Sequence, residues 1–196
     1  MDEFPANPRL FVAVELPGPV LQTLERIQHD LQRHVPRGMR WTRPEGIHLT
    51  LKFLGETPRE RVAAIKDALA AAVRGIGQHE LSLGGMGTFG SRGAPRVLWV
   101  DLDGETQALE TLQLRADRAL DTIGFPADKR PFAAHLTLAR VREESAREVA
   151  EPLARALRSV SVPSATIPVG DVSLMLSKLG PGGAVYSRLE SWPLVG

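Results

Sequence analysis

The chain contains two kinds of apolar pattern, one with a period of two residues and one with a period of three to four. The first is typical of half-buried strands and the second of amphipathic helices. Strands are predicted at residues 9–16, 47–54, 79–89, 95–102, 133–141, 165–169, 171–179 and 184–191, and helices at 20–34, 58–74, 105–123 and 145–158. Thr57 and Pro58 are predicted as the N-cap and first residue of the second helix.

The order of these elements predicts an α+β fold. Several strands follow one another without an intervening helix, so the sheets are expected to be largely antiparallel. Pro and Gly are scattered among short turns, such as the one at residues 180–183, and no linker or low-complexity tract divides the 196 residues. We therefore expect a single domain spanning residues 1–196.

One tetrapeptide occurs twice, as His48-Leu49-Thr50-Leu51 and as residues 135–138. Each copy lies in a predicted strand that follows a predicted helix. The repeat indicates a pseudo-twofold, bilobal architecture in which each half brings one copy to a shared cleft. A gene duplication would produce the same repeated tetrapeptide in a protein that has no catalytic activity.

Strand geometry predicts what each copy presents. Side chains alternate between the two faces of a strand. His48, Thr50 and Lys52 are therefore expected on one face, and His135 and Thr137 on the corresponding face of the second copy. The leucines between them can anchor each strand in the core. Two such strands would place two imidazoles and two hydroxyls around one small anion.

This set of groups can perform acid–base chemistry without a metal ion. An unperturbed imidazole has a pKa of about 6.5, so near neutrality one histidine can be neutral and the other protonated. A zinc site is the competing interpretation, but catalytic zinc normally has three protein ligands, and neither copy has an acidic residue beside it in sequence. We therefore predict no metal and no cofactor.

Composition excludes several other classes of protein. The chain has no cysteine, which removes thiolate metal sites and disulfides and fits a cytoplasmic location. We expect neither a signal peptide nor a membrane span. A net charge of +1 argues against a general nucleic-acid coat, but three windows contain basic residues without an acid: 31–44, 86–100 (Arg92 and Arg96) and 129–142. His29, His34 and His79 lack a threonine partner, and we interpret them as incidental.

The flanking sequences resemble the two-histidine phosphoesterase superfamily and, within it, the RNA 2′,3′-cyclic phosphodiesterases, also called the 2′-5′ RNA ligase family. The resemblance covers nearly the whole chain. It includes RLFVAVELP at 9–17, Arg40-Trp41 leading to HLTLKFLG at 48–55, PRVLWV at 95–100, RPFAAHLTLAR at 130–140, LSKLG at 176–180, Tyr186 and WPL at 192–194.

The resemblance implies a bilobal α+β fold in which two antiparallel sheets line a central groove, with helices outside. It implies hydrolysis of a terminal 2′,3′-cyclic phosphate to a 2′-phosphate, with 2′-5′ ligation of RNA ends as a related activity. By the same resemblance, His48 is the proton donor, His135 the proton acceptor, Thr50 and Thr137 complete the motifs, and Arg140 binds substrate. The family often has proline where this chain has Ala134.

Arg140 presents a geometric difficulty. Strict alternation places it on the face opposite His135, so it can reach the same phosphate only if the strand bulges or ends near Ala139. Aromatic residues that could stack on a base are Phe11, Trp41, Phe53, Phe89, Trp99 and Phe132, although most are expected in the core.

Two other functions remain open from the sequence. One is a 2′-5′ oligonucleotide phosphodiesterase that uses the same histidines, and the other is a non-catalytic module that binds RNA or nucleotides. The expected partners are RNA ends or nucleotides bearing a 2′,3′-cyclic phosphate. No membrane and no obligate protein partner is inferred.

Overall fold

The computed structural model describes residues 4–91, 93–180 and 183–196. Arg92 and the centre of the turn at residues 180–183 lie outside these residues. The described part contains strands β1 (Arg9–Glu15), β2 (Met39–Trp41), β3 (His48–Glu56), β4 (His79–Ser91), β5 (Ala94–Gly104), β6 (Leu136–Val141), β7 (Thr166–Val169), β8 (Asp171–Gly180) and β9 (Gly183–Pro193). Its helices are α1 (Gly18–His34), α2 (Val62–Ala72), α3 (Thr106–Thr122) and α4 (Ala146–Ser159).

The predicted element order is confirmed, with three local differences. The short strand β2 was not predicted. The strand around the second tetrapeptide begins at Leu136 rather than at residue 133, so His135 stands immediately before it. The N-cap prediction for Thr57 is wrong, because its hydroxyl donates to the Gly55 carbonyl oxygen at 3.2 Å and a 3₁₀ turn at Arg59–Arg61 precedes α2.

The strands of the described residues form one strongly curled, antiparallel sheet in the order β7-β4-β5-β6-β3-β1-β8-β9, with β2 on β6. The order is symmetric about its centre: β6, β5, β4 and β7 on one side correspond to β3, β1, β8 and β9 on the other. The two central strands, β3 and β6, pair at Leu49 opposite Leu136. The α+β, antiparallel, pseudo-twofold prediction is confirmed, and the two expected sheets are continuous through this pair.

The two faces of the sheet differ in what they bury. One face packs with the helices into the main core, to which α1 contributes Val20, Leu24, Ile27 and Leu31 at helical spacing. The opposite face, called the groove face here, carries a small separate apolar cluster of Phe11, Ala13 and Met175. Placing the helices on one side leaves the groove face open for polar chemistry. No helix of the described residues is long and apolar enough to cross a membrane.

Candidate active site

Each histidine of the repeat is held by the carbonyl group two residues before it. His48 Nδ1 lies 2.9 Å from the Gly46 oxygen, and His135 Nδ1 lies 2.8 Å from the Ala133 oxygen. A carbonyl oxygen can only accept, so Nδ1 carries the hydrogen in both rings. This leaves Nε2 of each imidazole free to accept a proton when neutral or to donate one when charged.

The central pair Leu49–Leu136 brings the two copies together. In an antiparallel ladder, the residues flanking such a pair lie opposite each other across the two strands. His48 therefore lies toward Thr137, and Thr50 toward His135. All four are partly exposed, whereas the two leucines are fully buried. The sequence prediction of one face with two imidazoles and two hydroxyls agrees with this geometry.

A bulge in each of the two central strands changes the face of the residues that follow. On β3, Ala13 pairs with Thr50 and Val12 with Lys52, so Leu51 is the extra residue. The expectation that Lys52 shares a face with His48 is therefore wrong. Lys52 is buried on the core side, where it forms an ion pair with Asp117 of α3.

The bulge in β6 explains how Arg140 can lie on the same face of the sheet as the His135 motif, although strict alternation would place it on the opposite face. Trp99 pairs with Thr137 and Leu98 with Ala139, so Leu138 is the extra residue. Arg140 pairs with Val97, which lies on the same face of β5 as Trp99. Arg140 is therefore exposed on the groove face together with Thr137. The strand irregularity that the sequence required near Ala139 is present.

Arg140 is directly opposite a second arginine. Strand β2 pairs with β6 so that Arg40 faces Arg140, and both residues are exposed. Like charges at directly opposite positions destabilise a sheet. An anion bound between the two guanidinium groups would turn this repulsion into attraction, because a guanidinium group can donate two parallel hydrogen bonds to phosphate oxygens.

Aromatic rings enclose His48. Its imidazole stacks on Phe11 with 4.6 Å between ring centroids, and the edge of Tyr186 approaches it at 4.9 Å. Burial lowers the pKa of His48 to about 4, while the Gly46 carbonyl and the Glu15 carboxylate act to raise it and the charge of His135 acts to lower it. Without a bound anion, His48 is therefore neutral at pH 7.

Glu15 is the residue of β1 directly opposite His48. One of its carboxylate oxygens accepts a hydrogen bond from the Ser173 hydroxyl and forms an ion pair with Nε of Arg188, each at 2.7 Å. The sequence indicated no acidic residue near either histidine, and the structure corrects this for His48. In the sequence, the one sign that Glu15 could belong to the site is its position at the end of the first predicted strand. Which strand β1 pairs with cannot be deduced from the local sequence.

His135 adjoins a cavity of about 350 Å³ on the other side of the groove. Phe89 contacts the His135 ring edge-on at 4.8 Å, and Trp99 lies 5.2 Å from Phe89. Trp99 lies across Gly87, where a Cβ atom would come within 2.4 Å of the indole ring. The cavity is also lined by polar groups of β5 and α3. These are Asp101, Thr106 and Glu110.

The other sequence candidates lie away from the paired histidines. His29 and His34 are exposed on α1, and His79 is buried at the start of β4. Arg33 forms an ion pair with Asp30 on the same helix. Among the described residues, no group of three or more His, Asp or Glu side chains is placed to hold a metal ion.

The model of the LigT like Phosphoesterase family matches the chain twice, over residues 14–99 and 100–186. The two matches together cover most of the chain, and each contains one copy of the tetrapeptide. This chain belongs to the LigT-like phosphoesterase family. The family interpretation of the repeat is therefore confirmed.

Individual relatives are similar to this chain over nearly its whole length. The RNA 2′,3′-cyclic phosphodiesterase of Archaeoglobus fulgidus is 34% identical over 93% of this chain and 98% of that protein. The protein of the same name from Geobacillus stearothermophilus is 33% identical over 95% of this chain, which spans 57% of the longer relative.

Solved structures of similar proteins have the same fold. A protein from Thermus thermophilus aligns with a TM-score of 0.76 at 29% identity, covering 95% of this chain and 97% of that one. E.coli LigT complexed with 3′-AMP aligns with a TM-score of 0.68 at 28% identity, covering 97% and 99%.

Proposed function

We propose that this chain is an RNA 2′,3′-cyclic phosphodiesterase, a hydrolase that converts a terminal 2′,3′-cyclic phosphate into a 2′-phosphate. The observation that carries the proposal is the position of the two His/Thr pairs on one face, around the Leu49–Leu136 pair. The names of the similar proteins from Archaeoglobus fulgidus and Geobacillus stearothermophilus support the same activity.

The proposed reaction is a single in-line displacement at phosphorus. His135 accepts a proton on Nε2 from the attacking water, whose oxygen forms the new bond to phosphorus. The bond between phosphorus and the ribose 3′-oxygen breaks, and His48 donates its Nε2 proton to that oxygen. The product has a 2′-phosphate and a 3′-hydroxyl. Each proton transfer of this kind typically contributes about 10²–10⁴ in rate.

Thr50 and Thr137 are proposed to donate hydrogen bonds to the non-bridging phosphate oxygens. Charge builds up on these oxygens in the transition state, so donors fixed beside them lower the barrier. Arg140, with Arg40 opposite it, is proposed to bind the phosphate or the adjoining RNA backbone. No metal ion and no cofactor is needed in this scheme, since the histidines activate the water and protonate the leaving group.

The donor role of His48 depends on the substrate. A pKa of about 4 makes the free imidazole neutral at pH 7, which by itself suits a proton acceptor. The cyclic phosphate carries a negative charge, and an anion close to an imidazole favours its protonated form. Glu15 acts in the same direction. We propose that binding of the phosphate protonates His48 and thereby separates the roles of the two histidines.

The whole of residues 1–196 is proposed to act as one bilobal domain, because the site takes one His/Thr pair from each half of the sheet. We propose a cytoplasmic location, which is consistent with a chain that has no cysteine. The proposed partner is an RNA end or nucleotide with a 2′,3′-cyclic phosphate, without a membrane or an obligate protein partner.

The test is to incubate the protein with adenosine 2′,3′-cyclic phosphate in excess EDTA and to identify the product by phosphorus NMR. The expected result is adenosine 2′-phosphate at a rate that EDTA does not change. A tenfold loss that a divalent ion restores would contradict the metal-free mechanism. Binding without turnover would favour the non-catalytic module.

A second candidate is a 2′-5′ oligonucleotide phosphodiesterase. This reaction needs space for a nucleoside on each side of the phosphorus, and the cavity of about 350 Å³ beside His135 offers space on the side where water would otherwise attack. The same cavity would accommodate the second RNA end in 2′-5′ ligation. Cleavage of a 2′-5′ diadenylate faster than hydrolysis of the cyclic phosphate would favour this candidate.

A further inference from the structure

Each histidine of the repeat has an acidic residue at the equivalent place of the neighbouring strand. Glu15 of β1 lies opposite His48 of β3. In the other half, the last residue pair between β5 and β6 immediately precedes Asp101, and one further step of that ladder places Asp101 beside His135. The sequences around the two acids are similar, VEL and VDL. The pseudo-twofold fold therefore brings one carboxylate to the neighbourhood of each histidine.

The charges of the two carboxylates are compensated differently. Glu15 forms an ion pair with Arg188 and accepts a hydrogen bond from the Ser173 hydroxyl, each at 2.7 Å. Asp101 accepts a hydrogen bond from the backbone N–H of Leu102 at 2.9 Å, and it forms no ion pair within the described part of the chain. The negative charge is therefore neutralised beside the first histidine of the repeat and remains beside the second.

Glu110 adds a second negative charge to the cavity beside His135. Thr106 and Glu110 are four residues apart on α3, so they lie on the same face of the helix, and both line the cavity together with Asp101. Among the described residues that line this cavity, none is lysine or arginine. Carboxylates are charged at neutral pH, so the cavity is negative, whereas the groove face around Arg140 is positive.

The proposed reaction brings the attacking group in from this cavity. Attacking and departing oxygens lie on opposite sides of phosphorus. The departing 3′-oxygen is protonated by His48, so the attacking oxygen lies on the side of His135. When the 5′-hydroxyl of a second RNA end attacks, its oxygen bonds to phosphorus, its proton passes to His135, and the bond from phosphorus to the 3′-oxygen breaks. The product is a 2′-5′ phosphodiester.

We propose that Asp101 and Glu110 exclude phosphate-bearing acceptors from the cavity beside His135, and that they thereby commit this chain to hydrolysis of RNA ends rather than to their 2′-5′ ligation. This inference rests on the proposed function, because that function makes His135 the proton acceptor. A cavity of about 350 Å³ has space for a nucleoside, so its size admits a second RNA end. The first nucleotide of such an end carries a phosphodiester, and like charges at close range repel. Water and an uncharged nucleoside are not repelled.

The experiment compares two acceptors that differ only in a phosphate group. The protein is incubated with adenosine 2′,3′-cyclic phosphate and either adenosine or adenosine 3′-monophosphate, and the 2′-5′-linked product is separated from adenosine 2′-phosphate. The ratio of transfer to hydrolysis is expected to be about fivefold or more higher with adenosine than with its monophosphate. In Asp101→Asn/Glu110→Gln, the ratio for the monophosphate is expected to rise toward that for adenosine.

The double variant Asp121→Asn/Glu144→Gln is the matched control. It removes the same charge from two exposed residues that do not line the cavity. Asp121 is on the same helix as Glu110 but about 16 Å further along it, beyond the screening length at physiological salt. The control is expected to retain the wild-type discrimination. Raising the ionic strength from about 0.05 M to about 0.5 M tests the wild-type protein directly, because screening should reduce its discrimination severalfold.

Three outcomes would overturn the inference. Equal ratios for the two acceptors in the wild-type protein would mean that Lys129 and Arg130, on the loop before Phe132, offset the carboxylates. A discrimination that survives both the double variant and high salt would make shape the cause. Absence of transfer to either acceptor would mean that the cavity admits water alone. Hydrolysis of the cyclic phosphate continues in all three cases, whereas its absence in the wild-type protein would overturn the proposed function and this inference with it.

Discussion

The burial of His48 predicts a loss of stability in mild acid. The unfolded chain binds a proton at His48 below pH 6.5, whereas the folded protein resists that proton until about pH 4. The stability contributed by the neutral ring is thus fully present above pH 6.5 and is lost as the pH falls toward 4. One pKa unit corresponds to about 1.4 kcal/mol, so the loss reaches about 2 kcal/mol at pH 5.

The assay is urea unfolding of the wild-type protein and His48→Gln at pH 7 and pH 5. Glutamine does not titrate, and every other titrating group is common to both proteins. The free energy of unfolding of the wild-type protein is expected to fall by about 2 kcal/mol more than that of the variant. Titration of the His48 ring by NMR gives the pKa directly, and adenosine 2′-phosphate is expected to raise it.

Parallel losses of stability in the two proteins would refute this reasoning, as would an NMR titration of His48 near the ordinary imidazole value. Either result would mean that the rings of Phe11 and Tyr186 do not exclude water from His48. A low pKa that bound nucleotide leaves unchanged would instead refute the substrate-dependent donor role. His48 would then be neutral throughout the reaction and would have to act as the acceptor.

Two further predictions concern the reacting groups and the phosphate. His48→Ala and His135→Ala should each lower kcat by about 10² or more, and the double variant should lose much less than the product, because the two groups act as a unit. A 3′-thio substrate, whose thiolate leaves without a proton, should restore activity to His48→Ala but not to His135→Ala; near-full activity of either variant on the ordinary substrate would contradict the assignment. Arg140→Lys should impair hydrolysis while the melting temperature stays nearly constant, because lysine cannot bind two phosphate oxygens in the planar manner of a guanidinium group. Unchanged kinetics for Arg140→Lys would remove Arg140 from the site.

All the elements except β2, and the two His/Thr pairs, could be predicted from the sequence because both depend on local periodicity. A period of two places His48 and Thr50 on one face whatever the strand pairs with, and the same holds for His135 and Thr137. The repeat itself predicted that two equivalent halves meet. Helix α1 and strand β1 were found within about two residues for the same reason.

Pairing between distant strands decided the rest of the site. The bulges at Leu51 and Leu138 exist only relative to β1 and β5, and they move Lys52 into the core while bringing Phe53 and Arg140 to the groove face. The positions of Glu15 opposite His48 and of Arg40 opposite Arg140 likewise depend on the register between strands that are not consecutive in the sequence. The lowered pKa of His48 follows from burial by rings of β1 and β9, and burial is a property of the folded chain alone.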